Sequence, residues 1–171
     1  HCMRALKVAV HTLGCRSNQA DSAALMGLLD SAAVSIVNMD NAPDVVVVNT
    51  CCVTAEAERD CRKAVRRAQR LNADVHVVLT GCAVSAFAEF AAEFKEGHVS
   101  SFGGGKTHQR NLAQWLNALS QDRDAKIPEI QAPSRYFDED DPHALFGAVE
   151  GRTRGLLKIQ NGCNHNCSYC I

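Results

Sequence analysis

The chain has 171 residues, of which 46% are apolar, and a formal net charge of −1 at neutral pH. Such a length suits one globular domain, or one domain and the beginning of another. The balanced charge gives no bulk argument for a nucleic-acid or membrane partner, and no apolar run approaches the roughly 18 residues that span a bilayer. The N-terminal residues show no secretory signal, so we expect a cytoplasmic protein.

Residues 6–120 alternate apolar strand signals with amphipathic helix signals. This alternation predicts an α/β fold with a parallel sheet and helices on both faces, Rossmann-like in kind. Asn18 or Asp21 is the expected cap of the first helix. The predicted strands cover residues 6–14, 43–51, 73–82 and 98–105, and the predicted helices cover residues 18–32, 55–72, 84–96 and 107–119.

The remainder of the chain differs in character. Residues 121–150 hold three of the four prolines and an acidic cluster, which is typical of a linker with little regular structure. Residues 151–171 resemble one more strand that runs directly into a compact cysteine array. We therefore expect three parts: an α/β domain over 6–120, a linker over 121–150, and a short final segment over 151–171.

Three cysteines of the first domain share one setting. Cys15, Cys51 and Cys82 each lie just past the carboxyl end of a predicted parallel strand, the edge at which open α/β sheets bind ligands. Three thiolates at one edge would suit a soft metal or an iron–sulfur cluster. Burial in the core is the alternative, because free cysteine is among the most buried residue types. Cys52 should point away from Cys51, so at most one of the two would join the site, and we expect Cys51.

The C-terminal array is more specific. Cys163, Cys167 and Cys170 form a C-x3-C-x2-C pattern within eight residues. Zinc could use the three thiolates together with His165 as a tetrahedral set. An iron–sulfur cluster could use the three cysteines alone and leave one iron open, and the spacing favours this second interpretation.

These motifs resemble a known family. The segment "CNHNCSYC", with Tyr169 before its last cysteine, is similar to the cluster motif of radical S-adenosylmethionine enzymes. The segments "TLGCRSNQADS", "VVNTCCVTAEAER" and "LTGCA" resemble the N-terminal domain of the methylthiotransferases within that group. Together the four motifs cover essentially the whole chain in the family's order.

The resemblance implies a set of cofactors and roles. Cys15, Cys51 and Cys82 would bind an auxiliary [4Fe–4S] cluster that carries the sulfur to be inserted. Cys163, Cys167 and Cys170 would bind the radical [4Fe–4S] cluster. Its open iron would take S-adenosylmethionine, and one electron from a donor protein would yield the 5′-deoxyadenosyl radical. Residues 151–171 would then be the first strand and cluster loop of a radical barrel, so the chain alone is expected to be inactive.

The substrate implied by the resemblance is tRNA. "NTCCVTAEAER" followed by a basic helix, and "KIQNGCNHNCSYCI", look most like the branch that methylthiolates N6-threonylcarbamoyladenosine next to the anticodon. The branches that modify a prenylated adenosine or a ribosomal protein are alternatives, as is a non-catalytic iron–sulfur or zinc protein.

The predicted helix over 55–72 carries a basic face. That face could meet tRNA phosphates, or it could be a solvated surface with local ion pairs. Its members are Arg59, Arg62, Lys63, Arg66, Arg67 and Arg70.

Overall fold

The computed structural model of the chain describes residues 4–94, 98–103 and 106–126, together with His165, Cys167 and Ser168. This part contains five strands and five α-helices, one strand and one helix more than predicted. The strands are β1 (Leu6–Thr12), β2 (Val34–Ile36), β3 (Val45–Thr50), β4 (His76–Gly81) and β5 (Val99–Ser101), and the helices are α1 (Arg16–Gly27), α2 (Ala55–Leu71), α3 (Cys82–Ala86), α4 (Ala88–Ala92) and α5 (Lys106–Gln121).

All strand pairs are parallel, and the sheet order is β2-β1-β3-β4-β5. This is a doubly wound order, in which the chain runs from β1 outward to β2 and then returns to place β3 on the other side of β1. The direction of winding reverses between β1 and β3, and this switch point is where doubly wound sheets open a crevice beyond their carboxyl ends. The expected Rossmann-like α/β class is confirmed.

Helices cover both faces of the sheet. On one face α1 and α5 pack over side chains such as Leu6, Val45 and Val47. On the other face α2, α3 and α4 pack over side chains such as Val46 and Val48. All six residues of β3 are buried, which explains why its sequence is a continuous apolar run rather than an alternating one.

Helix α2 begins and ends where its sequence predicts. Thr54 is the N-cap, and its hydroxyl accepts a hydrogen bond of 3.1 Å from the backbone N–H of Ala57. Glu56 and Glu58 lie in the first turn and Arg70 in the last, so the charges complement the helix dipole. The strength of these local signals explains the agreement.

The expected caps of α1 are wrong. The N-cap is Cys15, which makes no side-chain capping bond. Asn18 lies inside the first turn of α1 with its side chain buried. The helix starts earlier than predicted because Gly14, at φ +89°, turns the chain directly out of the loop after β1.

Two further predictions needed correction. The helix expected over 84–96 is divided into α3 and α4, because Phe87 adopts an extended backbone at φ −129° and ψ 104°. Strand β2 was not predicted. It is an edge strand of three residues in which only Val34 is buried, so it carries almost no periodic signal.

Residues 127–164 lie outside the described part of the chain. The proposed linker and the start of a radical barrel therefore stay predictions. No described helix is both long enough and apolar enough to cross a lipid bilayer.

Candidate metal centre

The structure places Cys15, Cys51 and Cys82 at the carboxyl edge of the sheet. Cys15 precedes α1 as its N-cap, Cys51 directly follows β3, and Cys82 directly follows β4 as the first residue of α3. The strand register aligns these ends, since Thr12 pairs with Asn49 and Thr50 pairs with Gly81. Cys15 and Cys51 thus follow the two strands on either side of the switch point.

Two glycines allow the backbone to turn at this edge. Gly14 and Gly81 have φ values of +89° and +93°, which residues with a side chain rarely adopt. A Cβ on Gly14 would lie 2.5 Å from Cys51 Cβ and would also overlap Cys51 Sγ. Glycine at position 14 therefore makes room for the Cys51 side chain beside the loop that carries Cys15.

The cysteines at this edge interact electrostatically. The pKa of Cys82 is raised to about 11, first by desolvation and then by the neighbouring thiols of Cys52, Cys15 and Cys51. Cys82 as a residue reaches solvent, but its Sγ lies 3.6 Å from Asn18 Oδ1 on the inner side. At neutral pH the Cys82 thiol keeps its proton, so a metal that binds there must displace it.

Cys52 is closer to the site than the sequence suggested. Its side chain belongs to the buried cluster under α2, yet it is the first of the neighbouring thiols that raise the pKa of Cys82. Its own pKa is raised by burial and by Cys51. The choice of Cys51 rather than Cys52 as a ligand stays a prediction.

Cys61, on α2, contacts the backbone of Cys51 through its sulfur. Its fully buried Sγ accepts the Cys51 N–H at 3.5 Å, and its thiol faces the Cys51 carbonyl at 3.8 Å. Cys61 also packs in the core, among the side chains under α2. The contact between Cys61 and Cys51 was not predicted, because a single cysteine ten residues further along the chain does not indicate one.

Within the described ranges, no three His, Cys, Asp or Glu side chains are arranged to hold a metal ion. The six cysteines described there are all free thiols. The residue types and their place at the switch point fit a cluster with three protein ligands. The side chains would have to adjust when it binds, because Cys82 now faces Asn18.

The C-terminal array cannot be assessed in the same way. Cys163 and Cys170 lie outside the described residues, and Cys167 and His165 are exposed. The assignment of Cys163, Cys167 and Cys170 to a second cluster, and the zinc alternative with His165, both stay predictions.

The basic residues of α2 fall into two groups. Arg62 pairs with Glu93 and Glu58, Arg67 pairs with Asp40, and Lys63 pairs with Asp60. No salt bridge to Arg59, Arg66 or Arg70 occurs in the described part of the chain, and these three side chains are exposed. The solvated interpretation therefore suits the first group, and only the second is free to meet phosphates.

Comparison with known proteins identifies the domain. A family described as "Uncharacterized protein family UPF0004" matches residues 7–103, which include β3, β4, all but the first residue of β1, and the three cysteines that follow these strands. The chain belongs to the UPF0004 family. This family forms the N-terminal domain of methylthiotransferases, and the resemblance stated from the motifs is confirmed.

The similarity of the UPF0004 chain to curated relatives extends beyond residues 7–103. The chain is 35% identical over 97% of its length to the threonylcarbamoyladenosine tRNA methylthiotransferase MtaB of Aquifex aeolicus, and 30% identical over 96% to the protein of that name in Bacillus subtilis. It is 26% identical over 96% of its length to the ribosomal protein uS12 methylthiotransferase RimO of Moorella thermoacetica. The chain spans 39%, 35% and 36% of the lengths of these relatives.

Proposed function

We propose that this chain serves a radical S-adenosylmethionine methylthiotransferase that acts on N6-threonylcarbamoyladenosine in tRNA. The observation that carries the proposal is the identity of 35% and 30% to two proteins named for this activity, over almost the whole chain. Because the chain spans well under half of those proteins, the activity is proposed for a protein of their length. Its place of action would be the cytoplasm, where tRNA is modified.

The three cysteines at the sheet edge would hold the auxiliary [4Fe–4S] cluster in this proposal. Each thiol must lose its proton to become a ligand, and the raised pKa of Cys82 makes that proton the hardest to remove. Gly14 gives the Cys51 side chain its space, and Cys61 holds the Cys51 backbone in place.

The second site would be formed by Cys163, Cys167 and Cys170, with S-adenosylmethionine beside them. When bound, the two clusters would supply the radical chemistry and the sulfur that is inserted. An electron-donor protein is required as a partner, because S-adenosylmethionine is cleaved by reduction. This chain's own contribution is to bind, orient and desolvate these groups.

Nucleoside mass spectrometry tests the substrate. A strain that lacks the gene should accumulate threonylcarbamoyladenosine without its methylthio group, and a plasmid copy should restore the modified base. A copy with C15A, C51A or C82A should not restore it. If the deletion strain keeps the methylthiolated base, the proposed substrate is wrong.

A ribosomal-protein substrate is a second candidate, supported by the similarity to the protein of Moorella thermoacetica. In that case the deletion strain would lack a methylthio group on ribosomal protein uS12 and keep the tRNA base. A non-catalytic zinc or iron–sulfur protein is separated by anaerobic reconstitution. Uptake of two [4Fe–4S] clusters supports the enzyme, whereas stable zinc without iron uptake would exclude it.

A further inference from the structure

Asn18 lies where the ends of three strands meet. It stands in the first turn of α1, three residues after Cys15, and its side chain is only 1% exposed. The neighbouring strands are β1 and β3, which flank the switch point of the sheet. A buried amide is costly unless its donors and acceptor are used, so its partners show what it does.

The side-chain amide of Asn18 uses both of its N–H groups on strand ends. Nδ2 donates to the carbonyl of Leu13 at 2.8 Å and to the carbonyl of Thr50 at 2.9 Å. Leu13 lies two residues before Cys15, and Thr50 lies directly before Cys51. One side chain therefore ties together the backbone segments that carry two of the three cysteines.

The third strand end reaches the same side chain. Because both amide hydrogens are committed to carbonyls, Oδ1 must face the opposite way, and there it accepts from the Cys82 thiol at 3.6 Å. The backbone carbonyl of Asn18 is also held, since it accepts from Asn49 Nδ2 at 2.9 Å. The amide is thus fixed in one orientation by its surroundings.

We propose that Asn18 is a positioning residue for the candidate iron–sulfur site: it ties the ends of β1 and β3 together, and in the metal-free domain it accepts the Cys82 thiol until that thiol gives up its proton to a metal. This rests on the proposed function in so far as Cys15, Cys51 and Cys82 are taken as the ligands. Aspartate has the same shape but no N–H to donate, and its charge would face two carbonyl oxygens. No other side chain of this size offers two donors and an acceptor in this arrangement.

The test uses the 171-residue chain with C163S, C167S and C170S, so that the C-terminal array cannot bind iron. In this parent chain we compare N18D and N18S with S22A. Ser22 is the control because it is buried in the same helix and its Oγ accepts from Thr12 and Asn49, at 2.7 and 3.0 Å, each one residue before a carbonyl that Asn18 holds.

After anaerobic reconstitution with iron and sulfide, the parent and S22A should each hold about four irons. N18D and N18S should release iron to a chelator about 10- to 100-fold faster, as outer partners of metal ligands typically do when replaced. They should also shift the electron paramagnetic resonance signal of the reduced cluster, which loss of stability alone would not change. Equal release rates and an unchanged signal in N18S would overturn the proposal.

Hydrogen exchange in the metal-free chain gives an independent measurement. N18S should speed exchange about tenfold at the backbone amides of residues 13–16 and 50–53, and S22A should not. Unchanged exchange rates in N18S would overturn the proposal that Asn18 joins the two segments, even if N18D fails to fold. A parent that takes up no iron would instead count against the proposed function, while hydrogen exchange would still decide the role of Asn18.

Discussion

Gly14 combines a positive φ with a close approach to another side chain. At φ +89° a residue with a Cβ is strained, and the added Cβ would overlap the side chain of Cys51. Both effects act at the same point, where the chain leaves β1 for α1. Position 14 is therefore, like position 81, a backbone position beside the candidate centre that only glycine fits.

We expect G14A to lower the free energy of unfolding by about 1–3 kcal/mol, the usual cost of a strained backbone position. G27A is the matched control. Gly27 ends α1 with no atom within 4 Å of an added Cβ, so alanine there should be neutral or slightly stabilising. Urea denaturation of the two variants measures the difference, and equal midpoints would contradict the prediction.

Cys82 should react slowly with alkylating reagents in spite of its partial exposure. Only the thiolate reacts, and the pKa of about 11 lies two units above the ordinary 9.0. Its rate with iodoacetamide should still be rising at pH 10, where the same peptide in the denatured chain has levelled off. Peptide mapping by mass spectrometry follows both rates, and a folded-chain profile centred near pH 9 would refute the prediction.

The placement of the three cysteines could be predicted from sequence, but their surroundings could not. Parallel strands bring their carboxyl ends to one edge, so locating Cys15, Cys51 and Cys82 after strands was sufficient. The contacts of Asn18 depend on how the first turn of α1 meets β1 and β3 across the switch point. Asn is a common helix cap, so Asn18 was expected to cap α1. Its tertiary contacts with β1 and β3 outweigh that local preference.

Helix α2 carries, as one stripe, the basic residues that make no salt bridge to the described residues. Arg59, Arg66 and Arg70 are spaced by seven and four residues, so they share a face along about 16 Å of helix. The neighbouring Arg62 and Arg67 are already neutralised by carboxylates on other segments. A surface for phosphates on this element would therefore consist of the three unpaired arginines.

Charge reversal tests the stripe in a protein of the relatives' length. R59E, R66E and R70E together should weaken tRNA binding at least about tenfold. They should also reduce the slope of log affinity against log salt concentration by about two to three, one per lost phosphate contact. K126E, which reverses an exposed cation outside α2, controls for the loss of positive charge alone. Equal affinity of the stripe variant and the wild type would show that the stripe is only solvated.

Elements with strong local signals were predictable, and weak ones were not. The buried run of β3 and the capped, charge-ordered sequence of α2 gave nearly correct bounds. β2 was not predicted because only one of its three residues is buried, which leaves no periodic hydrophobic pattern. The break at Phe87 was not predicted because the helix pattern continues through it, whereas in the structure the Phe87 backbone is extended and Phe90 is buried.

On the scale of the whole domain, stability should depend on two half-buried histidines. Burial lowers the pKa of His76, and the nearby His98 lowers it further. Burial also lowers the pKa of His11, and Arg67 adds to the effect. His76 contacts Ser100 Oγ through Nε2 at 2.8 Å and lies against Trp115, so its neutral form is part of the native packing.

The free energy of unfolding should therefore fall as the pH drops below 6.5. In the unfolded chain these histidines take up protons at their ordinary value of 6.5, whereas the folded chain takes them up only at lower pH. The stability that the neutral histidines contribute is fully present above pH 6.5, and it is lost as the pH falls toward their lower pKa in the folded chain. Urea denaturation between pH 7.5 and 5 measures it, and H11Q with H76Q should flatten the slope. An unchanged slope would assign the effect to other groups.

The three sheet-edge cysteines are 36 and 31 residues apart in sequence. The pairing of β1, β3 and β4 and the contacts of Asn18 bring their segments together. Their thiols can meet only after those non-local strand pairs have formed, which is a late event in folding. A ligand that needs all three can thus be taken up only by a folded domain. Cys163, Cys167 and Cys170 lie within eight residues, so that array places no such demand on folding. If both arrays hold clusters as proposed, the order of maturation would differ between them: at the sheet edge, folding would come first.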